Sequence, residues 1–283
     1  MPEIGSKIAR ADIDLIDGNF DISQSENYNL FIQIGMDGLS FCLFNTIFNK
    51  FVVLRSYSLS GAEISDYRAI FECDDLLGLR YGDSRHIWIS PRCTLVPENL
   101  FDNREADLYL TFNHGKAAGG QTLHNYIRSA NLYNVFSYPE ALTTLFQLYQ
   151  PNIRFFHHAT PLIEHMSTMC ESNVSVYYYS GNLDITIMEK TKLLFYNTFQ
   201  INVPEDSVYY YTMVLNSLSI SHLSTRLLYA GNCTNMPSEI AILKDFSECV
   251  IDFEPPSDVA YSDCIPESFR KDFINLFNLY RCE

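Results

Sequence analysis

One pattern of side chains occurs twice in this chain. Leu39, Phe41 and Leu43 alternate with Ser40, Cys42 and Phe44, and 144 positions later Leu183, Ile185 and Ile187 alternate with Asp184, Thr186 and Met188. Strict period-two alternation marks a strand whose two faces meet different surroundings. Each run sits in a similar succession, three strands and then a helix, over residues 28–59 and again over 173–201. A supersecondary unit recurring at about half the chain length predicts two similar subdomains packed together. The cleft between them is then the natural ligand site.

Composition narrows what such a cleft can serve. With 283 residues, 47 % hydrophobic and 19 % charged, the chain can bury a proper core and is not disordered. Its 34 acidic against 19 basic residues leave a net charge of −15, a field that repels phosphate backbones and anionic lipid heads. Nucleic acid is therefore not an expected partner. No apolar run approaches membrane-spanning length, so no membrane insertion is expected either. The eight cysteines are scattered singly without a Cys-x-x-Cys pair, which removes zinc-ribbon and thioredoxin-type motifs. Together with an N-terminus lacking a signal-peptide core, this predicts a reducing, cytoplasmic setting.

Along the chain, residues 1–27 read as an extended lead-in. Strands follow over 29–34, 39–44 and 51–57, the first two joined by the turn Gly35-Met36-Asp37-Gly38, where an Asp-Gly step suits a tight hairpin. A helix is predicted over 65–77, a strand over 86–90, a short helix from Pro97, a strand over 106–112 and a helix over 123–129. Residues 115–120 form a glycine-bearing connector, whose lysine stands at the wrong end for a phosphate loop. A strand at Val135 and Phe136, a helix over 139–149, a strand over 153–156 and a helix from Pro161 complete the first half. The second half continues with strands over 174–179, 183–188 and 193–199, a helix from Pro204, a strand over 226–229, a helix over 237–246, a strand over 249–253 and a last helix over 266–280. This is an α/β chain with two mixed sheets.

A three-strand meander and helix, repeated around a cleft, resembles the actin-like ATPase superfamily, whose subdomains are ribonuclease H-like. The runs 30–44 and 86–101 are similar to an uncharacterised bacterial family with an actin-like fold. Pilus-assembly and cell-division members of the superfamily are more distant in appearance. The resemblance implies two ribonuclease H-like subdomains, mixed sheets with flanking helices, spanning residues 1–160 and 161–283. In the superfamily the first hairpin carries Asp-x-Gly, the aspartate placing magnesium and water while the glycine lets backbone amides reach phosphate. The matching positions here are Gln33-Ile34-Gly35, and glutamine is a poor substitute for a carboxylate on a hard cation. The same offset leads from Gln33 and Gly35 to Tyr177 and Tyr179, where the second Asp-x-Gly would stand. A third motif, small residues ending a strand before a helix, cradles the adenosine in the superfamily and is matched by Ala230-Gly231.

The resemblance thus implies a fold retained without its catalytic carboxylates. The expected function is that of a non-hydrolysing scaffold or interaction module with a protein partner, with no catalytic residue, no metal and no cofactor. The alternative is an ATP-binding enzyme of the actin-like ATPase and sugar kinase superfamily that uses magnesium and displaced acids, Asp37 on the first turn and Asp184 on the second hairpin. The nucleotide contacts it implies are Gly35, Asp37, Gly38, Ala230 and Gly231. Asp184 shares a face with Thr186, opposite Leu183 and Ile185, and is expected to meet solvent. A ribonuclease H-like nuclease needs carboxylates on neighbouring strands, and residues 29–34 have none. The adjoining His157 and His158, with His165 beyond, read as structural histidines on a strand end and an exposed helix, not as metal ligands.

Overall fold

The computed structural model describes residues 10–35, 38–59, 61, 63–116, 120–169, 171, 173–221, 226–232 and 236–282. The first meander is β2 (Tyr28–Gly35), β3 (Gly38–Asn45) and β4 (Lys50–Ser58), preceded by β1 (Ile13–Ile16). β5 (Asp83–Trp88) and β9 (Arg154–His157) add parallel strands, giving the order β1-β4-β3-β2-β5-β9. Between them, β6 (Cys93–Pro97), β7 (Gly120–Ile127) and β8 (Leu132–Pro139) make a separate three-stranded antiparallel sheet in the order β6-β8-β7. The second meander is β10 (Asn173–Tyr179), β11 (Asn182–Glu189) and β12 (Lys192–Gln200), extended by parallel β13 (Arg226–Asn232) and β14 (Cys249–Asp252) in the order β12-β11-β10-β13-β14. Meander first, then two parallel strands on the far side of the first strand: both sheets are built alike. Each also slips register at a matched place, between Leu43 and Phe44 against β4, and between Ile187 and Met188 against β12.

Helices cover the sheets because each turns an apolar stripe inward. On the first sheet, α1 (Ile64–Cys73) buries Tyr67, Ile70 and Phe71, and α3 (Glu140–Tyr149) buries Leu142, Leu145 and Phe146 at helical spacing. They meet Leu30, Ile32, Leu39, Phe41 and Leu43. α1 starts where Asp66 Oδ2 accepts from the Glu63 backbone N–H, 2.8 Å away, satisfying a donor the helix leaves open. On the second sheet, α5 (Pro204–Ser217) and α6 (Met236–Leu243) pack on Val174, Val176, Leu183, Ile185 and Ile187. α4 (Ala159–Met166) lies between the halves, its Leu162 and Met166 against Tyr177, Tyr179 and Met188.

The chain ends on the first sheet. β15 (Ala260–Tyr261) pairs parallel with β4, and α7 (Glu267–Asp272) and α8 (Ile274–Asn278) follow. Phe273, Leu276 and Phe277 pack against Phe31, Cys42, Phe44, Phe51 and Leu54, while Ile274 reaches the core under the second sheet. Residues 260–282 thus lie, in space, against the meander that opens the chain. Among the described residues no helix is long and apolar enough to cross a membrane.

Three local expectations need correction. Residues 13–16, read as part of an extended lead-in, form an edge strand of the first sheet, Ile13 to Ile16 facing Ser56 to Val53. The strand expected over 106–112 is a helix, α2 (Ala106–His114), which buries Ala106 and Leu110 one turn apart and leaves Leu108 and Phe112 exposed. The helix expected over 123–129 is β7, held by pairing with β8 from Gly120↔Pro139 to Ile127↔Leu132. The connector over 115–120 lies in part outside the described residues.

Candidate functional site

The ends of the two meanders converge on a cleft. A cavity of about 190 Å³ is bounded there by Gln33, Gly35 and Gly38 of the first hairpin, Ser40, Ser56 and Ser58 beside it, and Tyr177, Tyr179 and Ser180 of the second. Asp12, Asp272 and Phe273 stand at its margin. Strand alternation explains this lining: Gln33, Ser40 and Ser56 point away from the Leu30–Leu43 core, and Tyr177 and Tyr179 point away from the Val174–Ile187 core.

The polar groups around the cavity are mostly engaged. Ser40 and Ser56 hydroxyls bond each other at 2.8 Å. Tyr57 donates its hydroxyl to the buried Asp74 Oδ2 at 2.5 Å, and Arg55 reaches Asp74 together with the exposed Asp14 and Asp75. Burial, and then the hydrogen bond to Asp74, push the Tyr57 hydroxyl pKa upward. Asp12 accepts from the Ser58 N–H. Two groups differ: Gln33 Oε1 is buried without a hydrogen-bond partner, and Asp272 makes no hydrogen bond or ion pair among the described residues. Partial burial, and then the charge of Asp252, hold the Asp272 carboxyl above its ordinary range.

Below the tyrosines lies a buried carboxylate that accepts four side-chain hydrogen bonds. Asp184, expected at the surface, is fully buried because α4 and the end of β9 cover its face of the sheet. Its Oδ2 accepts from His158 Nε2 and Tyr196 OH, each at 2.6 Å, and its Oδ1 from Thr198 Oγ1 at 2.6 Å and Tyr179 OH at 3.0 Å. The Ser90 N–H points at His158 Nδ1, leaving the ring proton on Nε2 for Asp184. His158 N–H in turn bonds Trp88 O, so the cluster ties the second meander to the first sheet. Burial first, and the Asp184 charge second, drive the Tyr179 and Tyr196 hydroxyls to high pKa. The neighbouring His157 binds Ser90 O through Nε2, and desolvation pushes its pKa well down. His165, expected on an exposed helix, is also buried and bonds Glu254 O.

The proposed nucleotide contacts separate in space. Gly35 and Gly38 line the cavity; Asp37 lies outside the described residues. Gly38, at φ +144°, permits a close approach, since a Cβ there would fall 2.0 Å from Tyr57 O. Ala230 and Gly231 do not line the cavity: they sit on β13, paired with Tyr177 and Tyr178. Gly231, at φ +113°, has Tyr178 O only 2.1 Å from where a Cβ would stand, so the sheet itself requires glycine. Among the described residues no lysine, arginine or histidine lines the cavity. None forms a group of three His, Cys, Asp or Glu able to hold a metal ion. Sequence reasoning singled out Asp184 as a displaced acid and noted the adjacent histidines but missed the buried cluster they form, and it missed Asp272, which nothing local marks.

The chain belongs to DUF3822, a protein family of unknown function, whose model matches residues 17–250. No curated relative matches the sequence. Among solved structures, it is similar to a Bacteroides thetaiotaomicron protein with an actin-like ATPase fold and unknown function, at 24 % identity and a TM-score of 0.82, covering 94 % of this chain and 100 % of that one. It is also similar to a chain of the PilM–PilN type IV pilus biogenesis complex, at 10 % identity and a TM-score of 0.58, over 90 % of this chain and 98 % of that one. The fold is the actin-like ATPase fold, a mixed α/β architecture.

Proposed function

We propose that this DUF3822 member is a non-hydrolysing actin-like module that acts by binding a protein partner in the cytoplasm, its two meanders being copies of one unit. The observation that carries the reading is the state of Asp184. As a displaced acid it would have to offer oxygens to magnesium, yet four protein donors already fill its acceptor positions in a site closed to solvent. The cavity lining agrees: a neutral glutamine and two tyrosines hold the places of the superfamily's acids, and the carboxylates at the margin, Asp12 and Asp272, repel phosphate. At about 190 Å³ the cavity is also smaller than the roughly 300–1,000 Å³ usual for drug-sized ligands. The likeness to a chain of a pilus-biogenesis complex supports partner binding as a use of this fold. The shared strand order and the matched register slips support the duplication.

Calorimetric titration of the full chain with ATP, with and without magnesium, tests the reading. No saturable heat is expected in either titration. Magnesium-dependent binding would overturn it, and Asp37→Ala would then be the first variant to titrate.

A further inference from the structure

The two sheets differ at their outer edges. β4 closes the first meander and is covered there: β1 pairs with it antiparallel over Val53 to Ser56, and β15 takes Lys50 and Phe51. Six of its nine residues are buried. β12 is its counterpart, the third strand of the second meander with the matched register slip, yet it ends its sheet and none of its nine residues is buried. The Ile201 N–H bonds Gly181 O at 2.9 Å, which fixes the alternation along β12. Phe195, Asn197 and Phe199 turn their backbone groups to β11, and Tyr196, Thr198 and Gln200 turn theirs outward, where no backbone partner meets them among the described residues. The small sheet touches β12 through the side chains of Leu193 and Tyr196, on the face that carries α4. The usual protections of an open edge are missing: 195–200 holds no proline and no charge, and the bulge at Leu194 precedes it. We propose that β12 pairs across a two-fold axis with β12 of a second copy of this chain, Thr198 facing Thr198 and Tyr196 facing Gln200. The repeat says what such an edge takes, since its counterpart holds an antiparallel strand of this same chain, and a two-fold axis imposes that sense on identical strands. In this register the outward N–H and C=O groups of all three residues are bonded, Asn197 lies beside Phe199, and no like charges meet. The net charge of −15 on each copy opposes the contact from a distance, and salt relieves that repulsion.

Sedimentation equilibrium and amide hydrogen exchange by NMR, on the full chain up to about 0.5 mM, test this. One strand pair is a small contact, so a weak dimer is expected, tightening as salt rises from about 0.05 to about 0.5 M. Exchange at Tyr196, Thr198 and Gln200 should slow as the dimer fills, while Phe195, Asn197 and Phe199, already bonded to β11, keep their rates. Gln200→Pro removes an outward donor that the internal ladder does not use, at an exposed strand end, and should weaken the dimer about ten-fold. Asn197→Lys, at an exposed side chain whose backbone faces β11, sets two positive charges near each other across the axis and should weaken it several-fold. Circular dichroism shows whether each variant folds, and if the proline disturbs the strand, Asn197→Lys decides. A chain that stays monomeric, or a dimer that leaves the three outward amides exchanging as in the monomer, would overturn the inference. So would a dimer that salt weakens, or folded variants that associate as the native chain does.

Discussion

Replacing Asp184 by alanine is the sharpest perturbation this structure offers. The side chain is fully buried, and its removal strands His158 Nε2–H and the hydroxyls of Tyr179, Tyr196 and Thr198, all within 3.0 Å of the lost oxygens. Hydrogen bonds to a charged acceptor contribute about 1.5–3 kcal/mol each, but four that share one carboxylate cannot be summed. Tyr196, which lies 4.0 Å from Cys93 Sγ, can recover a weak partner. The better guide is the roughly 3–5 kcal/mol lost when one member of a buried polar pair is deleted. Asp184→Ala is therefore expected to lose about 3–5 kcal/mol. Asp184→Asn, which keeps one acceptor and turns an amide donor against a donor, should lose about 1.5–3 kcal/mol. Urea unfolding followed by far-UV circular dichroism and by the fluorescence of the single tryptophan measures both. Trp88 suits the purpose because its carbonyl accepts from His158 N–H at the junction. A loss below about 1 kcal/mol for the alanine variant, with an unchanged denaturant slope, would refute the view that this cluster clasps the two halves together.

Two further perturbations probe the scaffold. Gly231→Ala must force a Cβ into Tyr178 O at a positive φ, so it should cost about 3 kcal/mol or more in chemical denaturation. Gly18→Ala, with nothing within 4 Å, should stay within about 0.5 kcal/mol. His86 is buried among Phe146, Phe155 and Tyr138, with Nδ1 unpartnered, and burial pushes its pKa down to about 3. The unfolded chain takes up that proton below pH ~6.5, so the associated stability is whole above that pH and falls as the pH drops toward 3. At pH ~5 the loss is about 2 kcal/mol, and His86→Phe should abolish it; an unaltered slope of stability against pH between ~6.5 and ~5 would contradict this.

What could be read from the sequence was what is decided locally. The six meander strands announce themselves because Leu39 to Leu43 and Leu183 to Ile187 must alternate to bury one face, and those strands stand within a residue or two of expectation. The failures came from coincidental spacing. Leu108, Leu110 and Phe112 alternate like a strand, yet only Leu110 of the three reaches the core; Phe112 is 87 % exposed. Leu123, Tyr126 and Ile127 fall at helical spacing, but a partner strand decides their backbone. For Asp184, alternation assigned the correct face and the wrong environment. Whether that face meets water is settled by α4, whose packing no pattern within 182–189 can report. Of the candidate contacts, Gly35 and Gly38 reach the cavity because they end the hairpin that borders it. The helix-preceding Ala230-Gly231 step lies one strand away, where close packing on Tyr178 already accounts for the glycine.

The two meanders show how one scaffold can hold unlike clefts. On the helix-covered faces, Leu30, Ile32, Leu39, Phe41 and Leu43 correspond at the same offset to Val174, Val176, Leu183, Ile185 and Ile187, apolar for apolar. On the cleft faces the correspondence fails: Gln33 against Tyr177, Gly35 against Tyr179, Ser40 against Asp184. The covered faces must exclude water to hold a helix, a demand that any apolar side chain of about the right volume can meet. The opposite faces meet unlike partners, α8 and the cavity on the first sheet and α4 with His158 on the second, so they differ. In the first unit small residues leave a cavity; in the second, two tyrosines fill the matching positions, and the aspartate behind them is spent on holding the halves together.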